Sequence, residues 1–214
     1  MDIIKQCLDF FIHLDRHAQA LISAHGAWAY FWIFLTIFCE TGLVVMPFLP
    51  GDSLLFILGA LAAKNIIRAD LLWLLLTIAA VSGDALNYCV GAWLAPAVFS
   101  GQYLRFLKQE HLQTTKRFYA RHGNKTIVLA RFLPIIRTVA PFLAGAVAMP
   151  YRRFALYNIT GGALWVGVGL GAGFWFGNLP FVEKNFSVVL LAIVVVSLLP
   201  AVYEYILHRK DPKK

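Results

Sequence analysis

Charge is sparse in this chain, cysteine is sparser, and no polar segment is long enough to form a soluble domain. Only 14% of the 214 residues are Asp, Glu, Lys or Arg, against roughly 25% in an ordinary water-soluble domain, so an ordinary solvated surface is excluded. The three cysteines, Cys7, Cys39 and Cys89, make no CxxC pair and fall in or beside apolar segments. That excludes a disulfide framework and a thiolate zinc site, and small inert thiols are expected. The N-terminal stretch MDIIKQCLDFFIHLDRHAQALISAHG lacks a basic segment leading into a clean apolar core, and Asp2, Asp9 and Asp15 interrupt it. No cleaved signal is expected. Acidic residues are outnumbered 11 to 19, for a formal net charge of +8. The basic residues cluster between apolar runs, so anionic membrane lipids are expected as partners and nucleic acid is not.

What is abundant is apolar. Hydrophobic residues make up 60% of the chain, with a mean hydropathy of +0.70, and several runs reach the length of a bilayer span. The pattern predicts an all-α membrane protein, one multi-pass domain over 1–214 with about four transmembrane helices. Residues 1–25 space apolar positions (Ile4, Leu8, Phe11, Ile12) against polar ones at helical intervals, which suits an amphipathic helix in the interface. Asp9, His13 and His17 share a face there, but no other ligand cluster accompanies them, so a solvated polar face is expected and no metal or other cofactor.

The first half, 28–100, opens with a span at about 28–45 that carries Glu40 near its far end. From Met46 to Ala63 the chain stays apolar but holds Pro47, Pro50 and Gly51, followed by Asp52 and Ser53. Proline removes a donor and restrains the residue before it, so a re-entrant helix–break–helix is predicted over 46–63 in place of a continuous helix. A polar link, 64–70, leads to a second span at 71–95 with SGDALNY. Residues 101–125 are basic and amphipathic, a surface segment. The second half, 126–207, repeats the plan: a hairpin over 126–149 broken by Pro134, Pro141 and Gly145, a glycine-rich span at 154–177 suited to close packing, and a last span at 186–207. A basic tail follows at 208–214. Each half also carries a Tyr/Asn pair, Asn87–Tyr88 and Tyr157–Asn158. Paired interrupted segments of this kind point to a transport site at a repeat interface.

Four charges lie inside apolar sequence: Glu40 and Asp52 in the first half, Arg131 and Arg137 in the second. An ionisable group at membrane depth is functional by default, because it is unfavourable there unless paired or hydrated. Basic residues also set the orientation. With both termini cytoplasmic, the interior side receives Lys5, Arg16, the six basic residues of 105–125, Arg152, Arg153 and the four of 209–214. Only Lys64, Arg68 and Lys184 fall outside. This agrees with the positive-inside rule and gives the two hairpins opposite orientations, an inverted pseudo-repeat.

ETGLVVMPFLPGDSLLFILG, GDALNY, HGNKTIVLARFLPIIRTVAPFLAGAVAM and YRRFALYNITGGALW resemble the signature segments of the bacterial DedA family, also called SNARE-associated Golgi proteins. The likeness covers roughly residues 28–176, and the combination E-x6-P-x2-PGD with R-x2-P-x2-R is specific among membrane motifs. The resemblance implies an inner-membrane protein with two opposed re-entrant hairpins that moves lipid phosphates, undecaprenyl phosphate above all, with dependence on the proton-motive force. It carries functional roles to Glu40, Asp52, Arg131 and Arg137.

Elementary chemistry agrees. Arginine presents a planar fork that binds phosphate bidentately and stays charged, so Arg131 and Arg137 are candidate headgroup ligands. Pro134 between them can free helix-end N–H donors for an anion. A carboxylate in a low-dielectric cavity feels opposed pulls from desolvation and arginine, so Glu40 and Asp52 are candidate proton carriers. Asp84, Asn87, Tyr88, Tyr157 and Asn158 are supporting candidates, with helix–helix hydrogen bonding the competing role for Asp84 and Asn87. Alternatives are a passive phospholipid scramblase, a proton-coupled transporter of a small cation or drug, and a structural protein whose charges only form buried salt bridges. A lipid-phosphate phosphatase would need nucleophilic histidine chemistry, and all six histidines (13, 17, 25, 111, 122, 208) lie outside the spanning cores. An enzyme is not expected. The pattern leaves a homo-oligomer open.

Overall fold

The computed structural model describes residues 26–42, 51–96 and 109–177, with 179, 180, 182 and 189. Expectations for 1–25 (Asp9, His13 and His17 included), Pro47 and Pro50, 101–108, the last span at 186–207 and the tail fall outside the described residues. Among those described there are helices and no strand: α1 (Ala27–Gly42), α2 (Gly51–Ala63), α3 (Ala69–Trp93), α4 (Gln109–His122), a 3-10 turn (Gly123–Lys125), α5 (Thr126–Ala130), α6 (Pro134–Ala146) and α7 (Tyr151–Gly177).

Two of these, α3 and α7, are long and apolar enough to cross a bilayer. In α3, exposed Trp73 and Trp93 bracket the helix, twenty residues or about 30 Å apart at 1.5 Å per residue, the thickness of a hydrocarbon core with aromatic rings at its borders. Between them Leu74, Ile78 and Leu86 are exposed while Leu76, Ala79, Ala80, Asp84 and Asn87 are buried. The helix therefore presents large apolar side chains on its exposed face and keeps its polar Asp84 and Asn87 on the buried one, a distribution that suits an apolar surrounding. Both α2 and the 136–146 part of α6 are apolar but shorter. The thirteen residues of α2 reach only about 20 Å, and the part of α6 is shorter still.

The described residues form two compact units. One comprises 26–31, 51–72 and 168–177, the other 32–42, 73–96 and 109–167. In the first, α2 packs on the end of α7 through small residues: a Cβ on Gly59 would overlap the Leu170 carbonyl, and one on Gly173 the Phe56 carbonyl. In the second, α6 packs on α3 in the same manner, with Gly91 against the Phe142 carbonyl and Gly145 against that of Tyr88. Close backbone approach of this kind is how helices associate where apolar burial gives no advantage over lipid.

The short helices α2 and α6 end alike. Asn65 (φ 57°) and Ala148 (φ 54°) are both left-handed. Asn65 N–H donates to Ala62 O (3.0 Å) and Ile66 N–H to Leu61 O (3.2 Å); Ala148 N–H donates to Gly145 O and Met149 N–H to Ala144 O, both at 3.0 Å. These are two copies of a Schellman turn, which satisfies the last carbonyls of each short helix.

The stretch predicted as a hairpin over 126–149 is α5, a turn at Arg131–Leu133, and α6. Leu133 is extended (φ −122°, ψ 104°) and Pro134 occupies the first turn of α6, as the residue before proline and the first helical position respectively favour. The chain does not break at Pro141 or Gly145, contrary to the sequence expectation. Pro141 lies inside α6, where it deprives the Arg137 carbonyl of its helical donor, and neighbouring carbonyls are tied from outside. Asn87 Nδ2 donates to Thr138 O (2.9 Å) and Tyr119 OH to Ala140 O (3.0 Å). Burial of that phenol pushes the Tyr119 pKa above its ordinary value.

Candidate functional site

All the buried charges of the described residues lie in the second unit: Glu40 (1% exposed), Asp84 (2%), Arg131 (3%) and Arg137 (7%). Asn87, Asn158, Thr41 and Thr138 are buried with them. So many buried polar side chains are tolerable only if each finds hydrogen-bond partners.

Arg131 closes α5. Its Nη2 donates to Asp84 Oδ2 (2.6 Å) and to Asn158 Oδ1 (2.5 Å), while Asn158 Nδ2 donates to Val81 O (2.9 Å) and so fixes its own amide. Gly161 and Gly162 of α7 leave the room, since a Cβ on either would lie 3.3–3.4 Å from the Arg131 side chain. The remaining donors of this guanidinium, Nε–H and Nη1–H, meet no acceptor among the described residues. A buried guanidinium with donors to spare is poised for an anion or for water.

Arg137 lies one turn into α6. Its Nη2 donates to Glu40 Oε1 of α1 at 2.5 Å, and its Cζ sits 5.3 Å from the centroid of the Trp165 ring of α7, a cation–π contact. The Arg137 charge is within electrostatic range of both Asp84 and Arg131. Helices α1 and α3 meet at Gly42 and Gly83, where a Cβ on Gly42 would lie 3.3 Å from the Gly83 backbone. That crossing sets Glu40 and Asp84 on adjoining helices.

The structure thus gathers Glu40, Asp84, Asn87, Arg131, Arg137 and Asn158 from the sequence candidates. Asp52, Gly51 and Ser53 lie in the first turn of α2, in the other unit, with Asp52 exposed and its neighbours buried. Tyr88 and Tyr157 go to an aromatic cluster. Tyr88 stacks on Phe154 at 4.5 Å and its hydroxyl donates to the Met149 carbonyl, and Tyr157 packs on Ile127, Ala144, Met149 and Phe154. Sequence reasoning missed Thr138, Trp165 and the paired glycines 161 and 162 as neighbours of the arginines. The glycines carried a signal, the one adjacent Gly–Gly of a glycine-rich span, but it read only as packing. Among the described residues no cluster of His, Cys, Asp and Glu could hold a metal ion.

The model of the VTT domain matches residues 49–175, which takes in Arg131, Arg137, Asp84 and Asn158 but leaves Glu40 just outside. The chain is 47% identical to Protein DedA of Escherichia coli over 212 residues, 98% of this chain and 97% of that protein. It is 44% identical to an uncharacterized membrane protein of Mycobacterium leprae over 165 residues, 77% of this chain and 74% of the relative. It is 35% identical to the inner membrane protein YghB of Escherichia coli over 195 residues, 90% of this chain and 86% of that protein. No solved structure matches the chain.

Proposed function

The chain belongs to the DedA family of VTT-domain membrane proteins, and from that premise we propose that it moves a phosphate-bearing lipid, undecaprenyl phosphate, across a bacterial inner membrane with protons as the coupling ion. The observation that carries the reading is Arg131, a buried guanidinium at a helix break with Nε–H and Nη1–H donors unanswered among the described residues. Beside it, the α6 N-terminus opens on Pro134 with no side chain capping it, and first-turn N–H groups favour an anion. Arg137 adds a second positive charge nearby. The lipid's tail would stay in the bilayer while its phosphate visits this polar interior. Glu40 in its ion pair and Asp52 at the start of α2 are the acids that the sequence offers for coupling. Exposed Lys116, Arg117, Arg121 and Lys125 supply positive charge that would attract anionic lipid headgroups on the cytoplasmic face.

Liposomes containing the purified protein test this reading, with labelled undecaprenyl phosphate and a labelled glycerophospholipid assayed side by side, with and without a pH gradient. Gradient-dependent movement of the first alone is expected. Equal, gradient-independent movement of both would establish a passive scramblase instead, and movement of neither would overturn lipid transport.

A further inference from the structure

Resting on the reading of Arg131 as the phosphate ligand, the geometry around that residue bears on where the coupled proton goes. A guanidinium offers two bidentate edges, Nε with Nη2 and Nη1 with Nη2. The two nitrogens of Arg131 without acceptors, Nε and Nη1, belong to different edges. The atom common to both edges, Nη2, is the one occupied by Asp84 and Asn158. A phosphate can therefore touch Arg131 with one oxygen as it stands, but cannot take either edge bidentately until one occupant yields Nη2.

Asn158 is the poorer candidate to yield. It is neutral, so an arriving anion does not repel it, and its amide is anchored to Val81 O. Asp84 is a carboxylate, and two anions sharing one buried guanidinium oppose each other's ionisation. The charged and titratable groups around Asp84 are Arg131 at the end of α5, Arg137 of α6 with its partner Glu40 of α1, and Tyr119 of α4, whose ionisation Asp84 opposes. Glu40 is held by Arg137, and the Tyr119 hydroxyl already donates to Ala140 O. Asp84 alone is both an anion and bound to the atom the phosphate needs.

We propose that Asp84 takes up a proton as a lipid phosphate displaces it from Arg131, so that anion binding and protonation of Asp84 are a single event. The charge balances: the Asp84–Arg131 pair is neutral before, and a phosphate monoanion with Arg131 and a neutral Asp84 is neutral after. The proton comes from the aqueous side that delivers the phosphate and leaves when the phosphate departs and the carboxylate returns to Nη2. Transport and proton movement would then be locked in the same direction with one proton per lipid.

The test compares wild type with Asp84→Asn, in nanodiscs of neutral lipid, for binding of farnesyl phosphate across a pH series. The ligand's own ionisation is common to both proteins and cancels. Linkage requires the wild-type affinity to fall about tenfold more per pH unit than that of Asp84→Asn wherever Asp84 is ionised in the empty site, and the variant is expected to hold its low-pH affinity upward. Identical pH slopes in two proteins that both bind would overturn the role of Asp84 and leave the phosphate reading standing. Failure of wild type to bind farnesyl phosphate at any pH would overturn both. Should Asp84→Asn not fold, wild type bearing carbon-13 aspartate answers by infrared difference spectroscopy. A protonated aspartate carbonyl band that rises on adding farnesyl phosphate and persists in Asp52→Asn supports the proposal. No such band, or a band lost with Asp52→Asn, overturns it.

Discussion

Arg137 donates to Glu40 at 2.5 Å across 97 positions of sequence, joining the helix after the Arg131–Leu133 turn to the helix that begins the described chain. Both side chains are buried, 7% and 1% exposed. Removing one member of a buried pair leaves the other charge uncompensated, which costs about 3–5 kcal/mol. Glu40→Ala is therefore expected to unfold at distinctly lower denaturant or temperature in detergent, and Glu40→Gln, which keeps an acceptor for Nη2, to lose less. Equal stability of Glu40→Ala and wild type would show that water, and not the carboxylate, satisfies Arg137.

The glycine contacts make a sharper contrast, because neighbouring substitutions should differ. A methyl on Gly91 or Gly145 would overlap a backbone carbonyl of the facing helix, whereas one on Gly171 meets nothing within 4 Å. Gly91→Ala and Gly145→Ala should each destabilise by about 1–3 kcal/mol through overpacking, read as lost monodisperse protein or lowered melting temperature. Gly171→Ala should melt with wild type. Uniform tolerance across the three would mean that α3 and α6 do not pack this closely.

The apolar spans, the helical class and the arginines' association with a proline break were legible because each is a local property: run length, residue type, proline position. Partner identity was not. Glu40 and Asp52 stood out equally in the sequence, yet only Glu40 lies among the buried charges with the arginines, and Asp84, ranked as a supporting residue, holds Arg131 directly. Nothing local distinguishes a carboxylate 47 positions from its arginine from one further away, since helix crossing angles decide it. Pro141 misled for a related reason. Proline signals a break from local rules, but Asn87 and Tyr119 arrive from other helices to tie the adjoining carbonyls, and the helix continues.

Ala148 provides a test of strain. Its φ of 54° places Cβ against the carbonyl at a penalty of about 1–2 kcal/mol that glycine does not incur. Ala148→Gly is expected to raise stability by up to about that amount, less the extra freedom glycine gains when unfolded. Measured loss of stability would indicate that Ala148 is not left-handed in the membrane-embedded protein.

The distribution of basic residues makes an orientation testable, with the basic helix α4 expected on the cytoplasmic side. In a cysteine-free background that replaces the exposed Cys89, a cysteine at Asn65, in the link before α3, should react with an impermeant thiol reagent added to intact cells. One at Arg121, exposed near the end of α4, should react only after permeabilisation. The opposite pattern would invert the topology and place the basic α4 on the outer face.

Arg131→Lys separates phosphate recognition from charge pairing. A lysine keeps the positive charge and can reach Asp84, so the buried carboxylate stays compensated and the variant should insert and fold. It cannot keep Asp84 and Asn158 while presenting further N–H groups in a plane, because its ammonium is a single compact donor centre. Lipid-phosphate movement in liposomes is therefore expected to fall by at least about tenfold, the equivalent of one lost charge-assisted hydrogen bond of about 1.5 kcal/mol. Melting in detergent should stay near wild type. The same substitution at Arg137 should act differently: the ion pair with Glu40 survives in part, the stacking on Trp165 is lost, and stability drops alongside transport. If Arg131→Lys transports at the wild-type rate, the guanidinium's spare donors serve water and the arginine is a structural counter-ion for Asp84.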